Sequence, residues 1–402
     1  MEFRTIEREE IDAFSAMLSN AFGDVKPEEH HLEADRATLE PDRTWVAIDD
    51  GRIVGGAGAY TMQTVLPGGG AVGTAGVTAV GVLPTHRRRG ITTELLGRIL
   101  GQARDRGEPI ASLFASQAVI YGRFGFGLAT QALEFDVQLD RVHFSAGTEA
   151  SGTVRLLDRE AALAPMYDVW RRFAPTRPGV NPGSERDFPW GFTEKKGEPF
   201  FYAIHEDDDG TADAFAVYRI VHKWPTALPH LHAKVRTLIA TSPTASASIW
   251  RYLFDIDLVS RVTTGDRPLD DPLLWQLEEP RAARPRLYDA LYVRPVDVVA
   301  ALEGRPYAAD GRLTIAVTDP FRPDDGGTFV IEVEDGHGSC ARTDDEPDLV
   351  GSAHAIGSTY LGGATWSTLA NAGRVEVREA SALSRADAMF ASSVAPWVPF
   401  MF

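Results

Sequence analysis

Val80-Gly81-Val82-Leu83-Pro84-Thr85-His86-Arg87-Arg88-Arg89-Gly90-Ile91-Thr92 joins an apolar strand to an amphipathic helix through a short basic turn. The helix runs from about Gly90 to Arg106, with Ile91, Leu95, Leu96, Ile99, Leu100 and Ala103 on one apolar face, and Arg106-Gly107 stops it. A helix N-terminus carries amides without intrahelical partners and a partial positive charge. That combination binds phosphate, and Gly90 lets the backbone approach a pyrophosphate closely. The three arginines add positive charge. No Gly-Lys-Ser/Thr follows, so the turn is not a P-loop, and it lacks the Gly-x-Gly-x-x-Gly of a dinucleotide site. Taken alone, an arginine triplet also fits a solvated basic turn ahead of a surface helix.

Working outward, Ile11, Phe14, Met17, Leu18 and Ala21 have helical spacing within residues 9–22. Thr44 to Ile48 and Arg52 to Tyr60 flank the turn Asp49-Asp50-Gly51 and predict a strand hairpin. The Gly-rich link Pro67 to Gly70 leads into a strand ending at Leu83; Ile110 to Ser116 and Ala132 to Leu139 predict two more strands. The order helix, hairpin, strand, helix, strand describes an α/β layer over residues 1–145. A second segment, residues 150–285, has a helix at 159–173, a Pro/Gly-rich stretch at 175–193, strands at 199–205, 213–221 and 232–240, and a helix at 245–257, so its order echoes the first. Pro280 to Pro285 is Pro/Arg-rich and predicts a linker. Residues 286–402 form a third, sheet-rich α+β unit. Helices are expected at Val296 to Leu302, Thr365 to Ala370 and Ser384 to Phe390, with strands at Leu313 to Val317, Phe329 to Glu334 and Val375 to Arg378.

Composition narrows the function classes. A chain of 402 residues exceeds what one hydrophobic core organises, so two or three domains are expected. No apolar run reaches the roughly 20 residues of a membrane span. The start Met1-Glu2-Phe3-Arg4-Thr5-Ile6-Glu7 is too polar for a signal peptide, and a cytoplasmic location is expected. One cysteine, Cys340, excludes an intrachain disulfide framework. A formal charge of −17 opposes nucleic-acid binding and suits cationic small molecules, although acidic surfaces also serve solubility. His30-His31, His230-Leu231-His232 and His337 lack the partner spacing of a zinc site, so no metal is expected. No Ser/His/Asp set is assignable for hydrolysis.

The turn resembles motif A of the GNAT acetyltransferases, Arg/Gln-x-x-Gly-x-Gly/Ala between a strand and a helix. Here it reads Arg87-x-x-Gly90-x-Thr92, departing at the last position, where threonine is still small. The resemblance implies acetyl-CoA as co-substrate. Backbone groups of Val80, Gly81 and Val82 would bind the pantetheine arm. The backbone of Arg87, Arg88, Arg89, Gly90, Ile91, Thr92 and Thr93 would cradle the pyrophosphate. A second stretch, Ser116-Gln117-Ala118-Val119-Ile120-Tyr121-Gly122-Arg123-Phe124-Gly125-Phe126-Gly127, is similar to the segment after the next GNAT strand. It implies cofactor contacts from Ser116 and Gln117, and Tyr121 beside the cofactor sulfur as general acid.

Over nearly its whole length the chain resembles the Eis (enhanced intracellular survival) acetyltransferases of actinobacterial type. That resemblance implies tandem GNAT-like domains followed by a sterol-carrier-like domain. Ala240-Thr241-Ser242-Pro243 stands where a second motif A would lie, so the second domain is expected to lack a cofactor site. Tyr360 to Trp366 and Gly373 to Glu376 match a sterol-carrier-like tail. The resemblance also assigns the terminal carboxylate, on Phe402 of the apolar end Trp397-Val398-Pro399-Phe400-Met401-Phe402, to the active site as the base that handles the amine's proton. A thiol has a pKa of about 8.5 and tyrosine about 10, so Tyr121 is expected to protonate the departing thiolate. An α-carboxyl near pKa 3.5 is a weak base for an ammonium near 10, so its surer role is electrostatic. The implied substrates are cationic amines of aminoglycoside or polyamine type, with Asp24, Glu28, Glu29 and Trp190 lining the pocket. The implied assembly is a homo-hexamer. Acetylation of protein or peptide lysines, or a non-catalytic carrier of CoA or amphiphiles, are the alternatives.

Overall fold

The computed structural model describes residues 1–24, 27–184, 188, 192, 197, 199–222 and 230–402. They form two compact units, one of residues 1–130, 291–393 and 401–402, the other of residues 131–290 and 394–400. The strands in chain order are β1 (Glu2–Thr5), β2 (Thr44–Asp49), β3 (Arg52–Val65), β4 (Ala71–Val82), β5 (Ile110–Phe114), β6 (Gly127–Leu128), β7 (Gln131–Gln138), β8 (Thr153–Leu157), β9 (Phe201–Glu206) and β10 (Ala212–Val221). They continue with β11 (Leu231–Ala240), β12 (Val259–Arg267), β13 (Arg286–Asp289), β14 (Leu291–Pro295), β15 (Gly311–Thr318), β16 (Gly327–Glu334), β17 (His337–Arg342), β18 (Leu349–Ser352) and β19 (Glu376–Val377). The helices are α1 (Ile11–Phe22), α2 (Glu29–Thr38), α3 (Ile91–Asp105), α4 (Ala118–Gly122), α5 (Arg159–Phe173), α6 (Pro243–Phe254), α7 (Leu273–Gln276), α8 (Val298–Glu303), α9 (Ala353–Thr359), α10 (Trp366–Asn371) and α11 (Ala382–Phe390).

The first unit holds a sheet in the order β1-β2-β3-β4-β5-β14-β6 and a five-stranded sheet in the order β17-β16-β15-β18-β19. In the larger sheet, side chains alternate between two cores. Ala47, Val54, Ala57, Ala75 and Val77 face α3, while Val46, Ile48 and Ile53 face α1. The six expected apolar residues of α3 are all buried, each isoleucine or leucine contributing about 1.5–3 kcal/mol. On the opposite face α1 lies so close that the ring of Phe14 occupies the space a side chain at Gly56 would need. Beneath the sheet, Arg43 and Glu108 form a buried bidentate pair with both contacts at 2.6 Å.

The second unit is built on the sheet β13-β7-β12-β11-β10-β9-β8, covered by α5 and α6. The strand expected at Ala132 to Leu139 forms as β7, and it pairs with β12 and β13 in this sheet rather than completing the first layer. Its buried residues Leu133, Phe135 and Val137 pack into the second unit's core, and Asp136 is held by Arg261 at 2.6 and 2.8 Å. Conversely β14 enters the first sheet, antiparallel to both β5 and β6. The strand expected over Val375 to Arg378 shortens to β19, and β17 appears beyond the turn Asp335-Gly336.

Candidate active site

Three features lie on or beside the sheet that holds β4 and β5. These parallel strands pair only at Thr74–Ile110, Ala75–Ala111 and Gly76–Ser112. Strand β4 then runs on to Val82 and β5 to Phe114, so the backbone edge of β4 beyond Gly76 faces an opening between them. Against β3, β4 carries a bulge: Gly58 pairs with Thr78 and Gly56 with Gly81, leaving Ala79 and Val80 opposite the single residue Ala57. Ala79 within the bulge has φ +54°, a conformation rare outside glycine and asparagine. The bulge re-aims the backbone at Ala79 and Val80, the start of the stretch assigned to the pantetheine arm. Parallel-strand separation plus a bulge creates a slot lined with peptide donors and acceptors that an amide-bearing chain can satisfy.

The basic turn follows at the end of that slot. Arg88 (φ +63°) and Gly90 (φ +79°) are both left-handed. Gly90 occupies the N-cap of α3 with no side chain to cap it, and the first helical bond runs from the Glu94 amide to the Gly90 carbonyl at 3.1 Å. The amides of Ile91, Thr92 and Thr93 therefore have no intrahelical acceptor and form an anion-binding end. The side chain of Arg87 is committed elsewhere: it donates to the Ala21 carbonyl at 2.9 Å, tying the turn to the end of α1. Arg89 and His86 both approach Asp49, at 3.5 and 3.2 Å. The turn thus presents backbone amides and net positive charge more than arginine side-chain bonds.

Tyr121 lies on α4, shortly beyond β5, and is 5% exposed in the core on the α3 side of the sheet. Burial pushes its phenol pKa above the ordinary value of 10, partly offset by a hydrogen bond with the Ser116 side chain. Its loop is closed by amides of Phe124 and Phe126 donating to the Tyr121 carbonyl at 3.0 and 3.3 Å. Phe126 meets the tyrosine ring edge to face at 6.3 Å. Ser116 and Gln117 are exposed.

Phe402 reaches the same place from the other face. Its ring sits edge-on to Phe114, the last residue of β5, at 5.3 Å. It also lies 3.2 Å from where a Cβ on Gly76, the last paired residue of β4, would stand. A side chain at Gly76 would collide with Met62 and crowd Phe402, so the small residue is what leaves room for the Phe402 ring.

Of the residues expected to line a substrate pocket, Asp24 is exposed just past α1, its amide bonded to the Ser19 carbonyl at 2.8 Å. Glu28 meets His30 at 3.2 Å, and Glu29 lies 3.0 Å from Arg36, which it shares with Asp12 at 2.6 Å. Trp190 lies outside the described residues. The bulge at Ala79, the Ser116 partner of Tyr121 and the packing at Gly76 escaped sequence reasoning. The small-residue runs Gly55-Gly56-Ala57-Gly58 and Gly73-Thr74-Ala75-Gly76 were the available signal, since strand glycines mark close approach.

This geometry agrees with comparison to known proteins. Residues 2–129 and 184–295 each match a model of the acetyltransferase (GNAT) domain, and residues 298–399 match the sterol carrier protein domain. An uncharacterised N-acetyltransferase of Streptomyces coelicolor is 38% identical over the full length of both chains. The N-acetyltransferase Eis of Mycobacterium tuberculosis is 32% identical over 91% of each. The crystal structure of Eis1 from Mycobacterium abscessus superposes with a TM-score of 0.86 at 32% identity, covering all of both chains. A slot between parting strands, an uncapped helix end and a buried tyrosine, carried on two GNAT domains and a sterol-carrier-like domain, make this chain a member of the Eis-type GNAT N-acetyltransferases.

Proposed function

We propose that the enzyme transfers acetyl from acetyl-CoA directly to primary amines of cationic small molecules of aminoglycoside or polyamine type. The observation that carries this reading is that the open β4 edge, α3 with its unpaired amides and buried Tyr121 share one core on one side of the sheet. In this reading Val80, Gly81 and Val82 bind the pantetheine arm through their backbone. Residues Arg87 to Thr93 hold the pyrophosphate, and Ser116 and Gln117 border the thioester end.

The free amine nitrogen forms the new C–N bond, the C–S bond breaks, and the phenol proton of Tyr121 passes to sulfur; the proton shed by the nitrogen passes by way of the Phe402 carboxylate and water back to the tyrosinate, so the net transfer is from N–H to S–H. A phenol above pKa 10 giving its proton to a thiolate of conjugate pKa about 8.5 works uphill by roughly 2 kcal/mol or more in water. Desolvation of the thiolate in the slot narrows that gap, because burial disfavours its charge as well. The Phe402 carboxylate is assigned to attracting the ammonium, orienting it and stabilising positive charge as the nitrogen attacks. The contacts of the Phe402 ring with Phe114 and beside Gly76 support this placement. A formal charge of −17 favours cationic acceptors, with Asp24, Glu28, Glu29 and Trp190 as pocket candidates.

The reading includes a catalytic domain of residues 1–145, a GNAT-like domain of 150–285 without a cofactor site and a sterol-carrier-like domain of 286–402. It also includes a homo-hexamer, on family resemblance, and a cytoplasmic setting, in keeping with a single cysteine. The test is thiol release from acetyl-CoA with kanamycin, neomycin, spermidine and a lysine peptide as acceptors. Fastest release with the polycationic small molecules is expected. Release with the peptide alone would move the substrate class to protein lysines, and no release with any acceptor would overturn the assignment.

A further inference from the structure

We infer that the buried Arg294–Asp319 pair is a positioning device for Tyr121, through which the sterol-carrier-like segment holds the loop of the catalytic acid. The inference rests on Tyr121 being that acid. Arg294 stands on β14 and is 0% exposed. Its guanidinium donates to the Phe124 carbonyl and, at 2.5 Å, to Asp319. The Phe124 amide in turn donates to the Tyr121 carbonyl at 3.0 Å, so two hydrogen bonds link the arginine to the backbone of the tyrosine.

The packing around that path is close on every side. A side chain at Gly125 would strike Arg294 and come within 3.2 Å of the Ala353 Cβ; one at Gly127 would strike the His354 carbonyl on α9. The Phe124 ring meets Phe321 edge to face at 4.9 Å. Asp319 is itself fixed, accepting the amides of Phe321 and Arg322 at 3.0 Å each. The neighbouring Asp325 holds Arg104 of α3 at 2.8 Å and Arg322 at 2.7 Å. One charged cluster thus braces both the acid loop and the helix whose N-terminus forms the anion site.

A buried ion pair is a poor way to gain stability, since apolar residues of similar size serve as well or better. It is a good way to hold one geometry, and a catalytic group needs its neighbours fixed to within about 0.5 Å. Burial disfavours the Arg294 charge while Asp319 favours it.

The test is a double-mutant cycle in the full chain, using acetyl-CoA and the fastest acceptor of the panel above. Arg294→Met, folded by circular dichroism, is expected to lower kcat about 10- to 100-fold with the KM for acetyl-CoA within about 2-fold. In the Tyr121→Phe background the same substitution is expected to lower kcat less than about 2-fold, because the acid it positions is gone. Asp319→Asn, which keeps shape and removes the charge that holds Arg294, takes its place if Arg294→Met does not fold. A crippled Tyr121→Phe beside an unimpaired or equally additive Arg294 variant overturns the positioning role alone. Full kcat in Tyr121→Phe overturns the acid assignment and this inference together.

Discussion

The segments β4–α3–β5 and β11–α6–β12 follow the same plan, a long strand, a turn, a helix and a parallel return strand, yet their turns and slots differ at the points that matter for a cofactor. At the first turn Gly90 leaves the α3 amides uncapped. At the second, Ser242 accepts the Ala245 amide at 3.1 Å and Pro243, at the first helical position, has no amide to offer. Thr241 spends both its amide and hydroxyl on the Asp213 carbonyl, at 3.0 and 3.1 Å.

The slots differ in the same sense. Beyond its paired stretch, β11 would expose backbone as β4 does, but Arg267 of β12 donates to the Leu238 carbonyl and to Asp271 at 2.7 Å. Trp397 lies over that guanidinium at 5.2 Å and donates its indole N–H to the Asp266 carbonyl at 2.6 Å. The second slot is filled by the protein's own side chains. One architecture therefore leaves its backbone donors and acceptors unpaired at one turn and satisfies them at the other.

The largest expected effect lies in the first segment alone. Tyr121→Phe should lower kcat about 10²–10⁴-fold with little change in the KM for acetyl-CoA, as steady-state kinetics will show. Because burial raises the Tyr121 pKa, the acid stays protonated below pH 10 and its activity is lost only as pH rises through that higher value. A wild-type kcat that falls between pH 7 and 9 would contradict the role.

The second segment is tested by Arg267→Met. It leaves Asp271, 0% exposed, without its cationic partner and should cost about 3–5 kcal/mol in urea unfolding. A loss below about 1 kcal/mol would mean that the arginine does not fill the slot. The smallest effect should come from giving the first turn the chemistry of the second. Gly90→Ser places a side chain at φ +79° and a hydroxyl beside the unpaired amides. It should raise the KM for acetyl-CoA roughly 3- to 10-fold, about 1 kcal/mol, with kcat nearly unchanged. An unaltered KM would break the comparison.

Much of the first segment was legible beforehand. Period 3.6 identified the buried face of α3, because a helix against a sheet must hide one stripe. The order of Arg87, Gly90 and Tyr121 along the chain marked the turn before α3 and the loop after β5, since both are local features. The absence of a second motif at Ala240 to Pro243 was equally plain. Less legible were partners distant in sequence. Alternation identified β7 as a strand but not its sheet, and nothing in Leu291–Pro295 says that it pairs with β5 and β6. The Ala79 bulge left no mark either, because a positive φ at alanine is imposed by the pairing of its neighbours.

From the sequence alone came the family, the acetyl-CoA chemistry and the uncapped glycine turn ahead of α3, all carried by residues close together in the chain and by short-range geometry. Tertiary structure alone decided that β4 and β5 part after Gly76, that Arg267 and Trp397 fill the second slot, and that Arg294 reaches the Tyr121 loop. Those outcomes depend on which backbone groups find partners from distant segments. Periodicity specifies a face to be buried, but not the element that buries it.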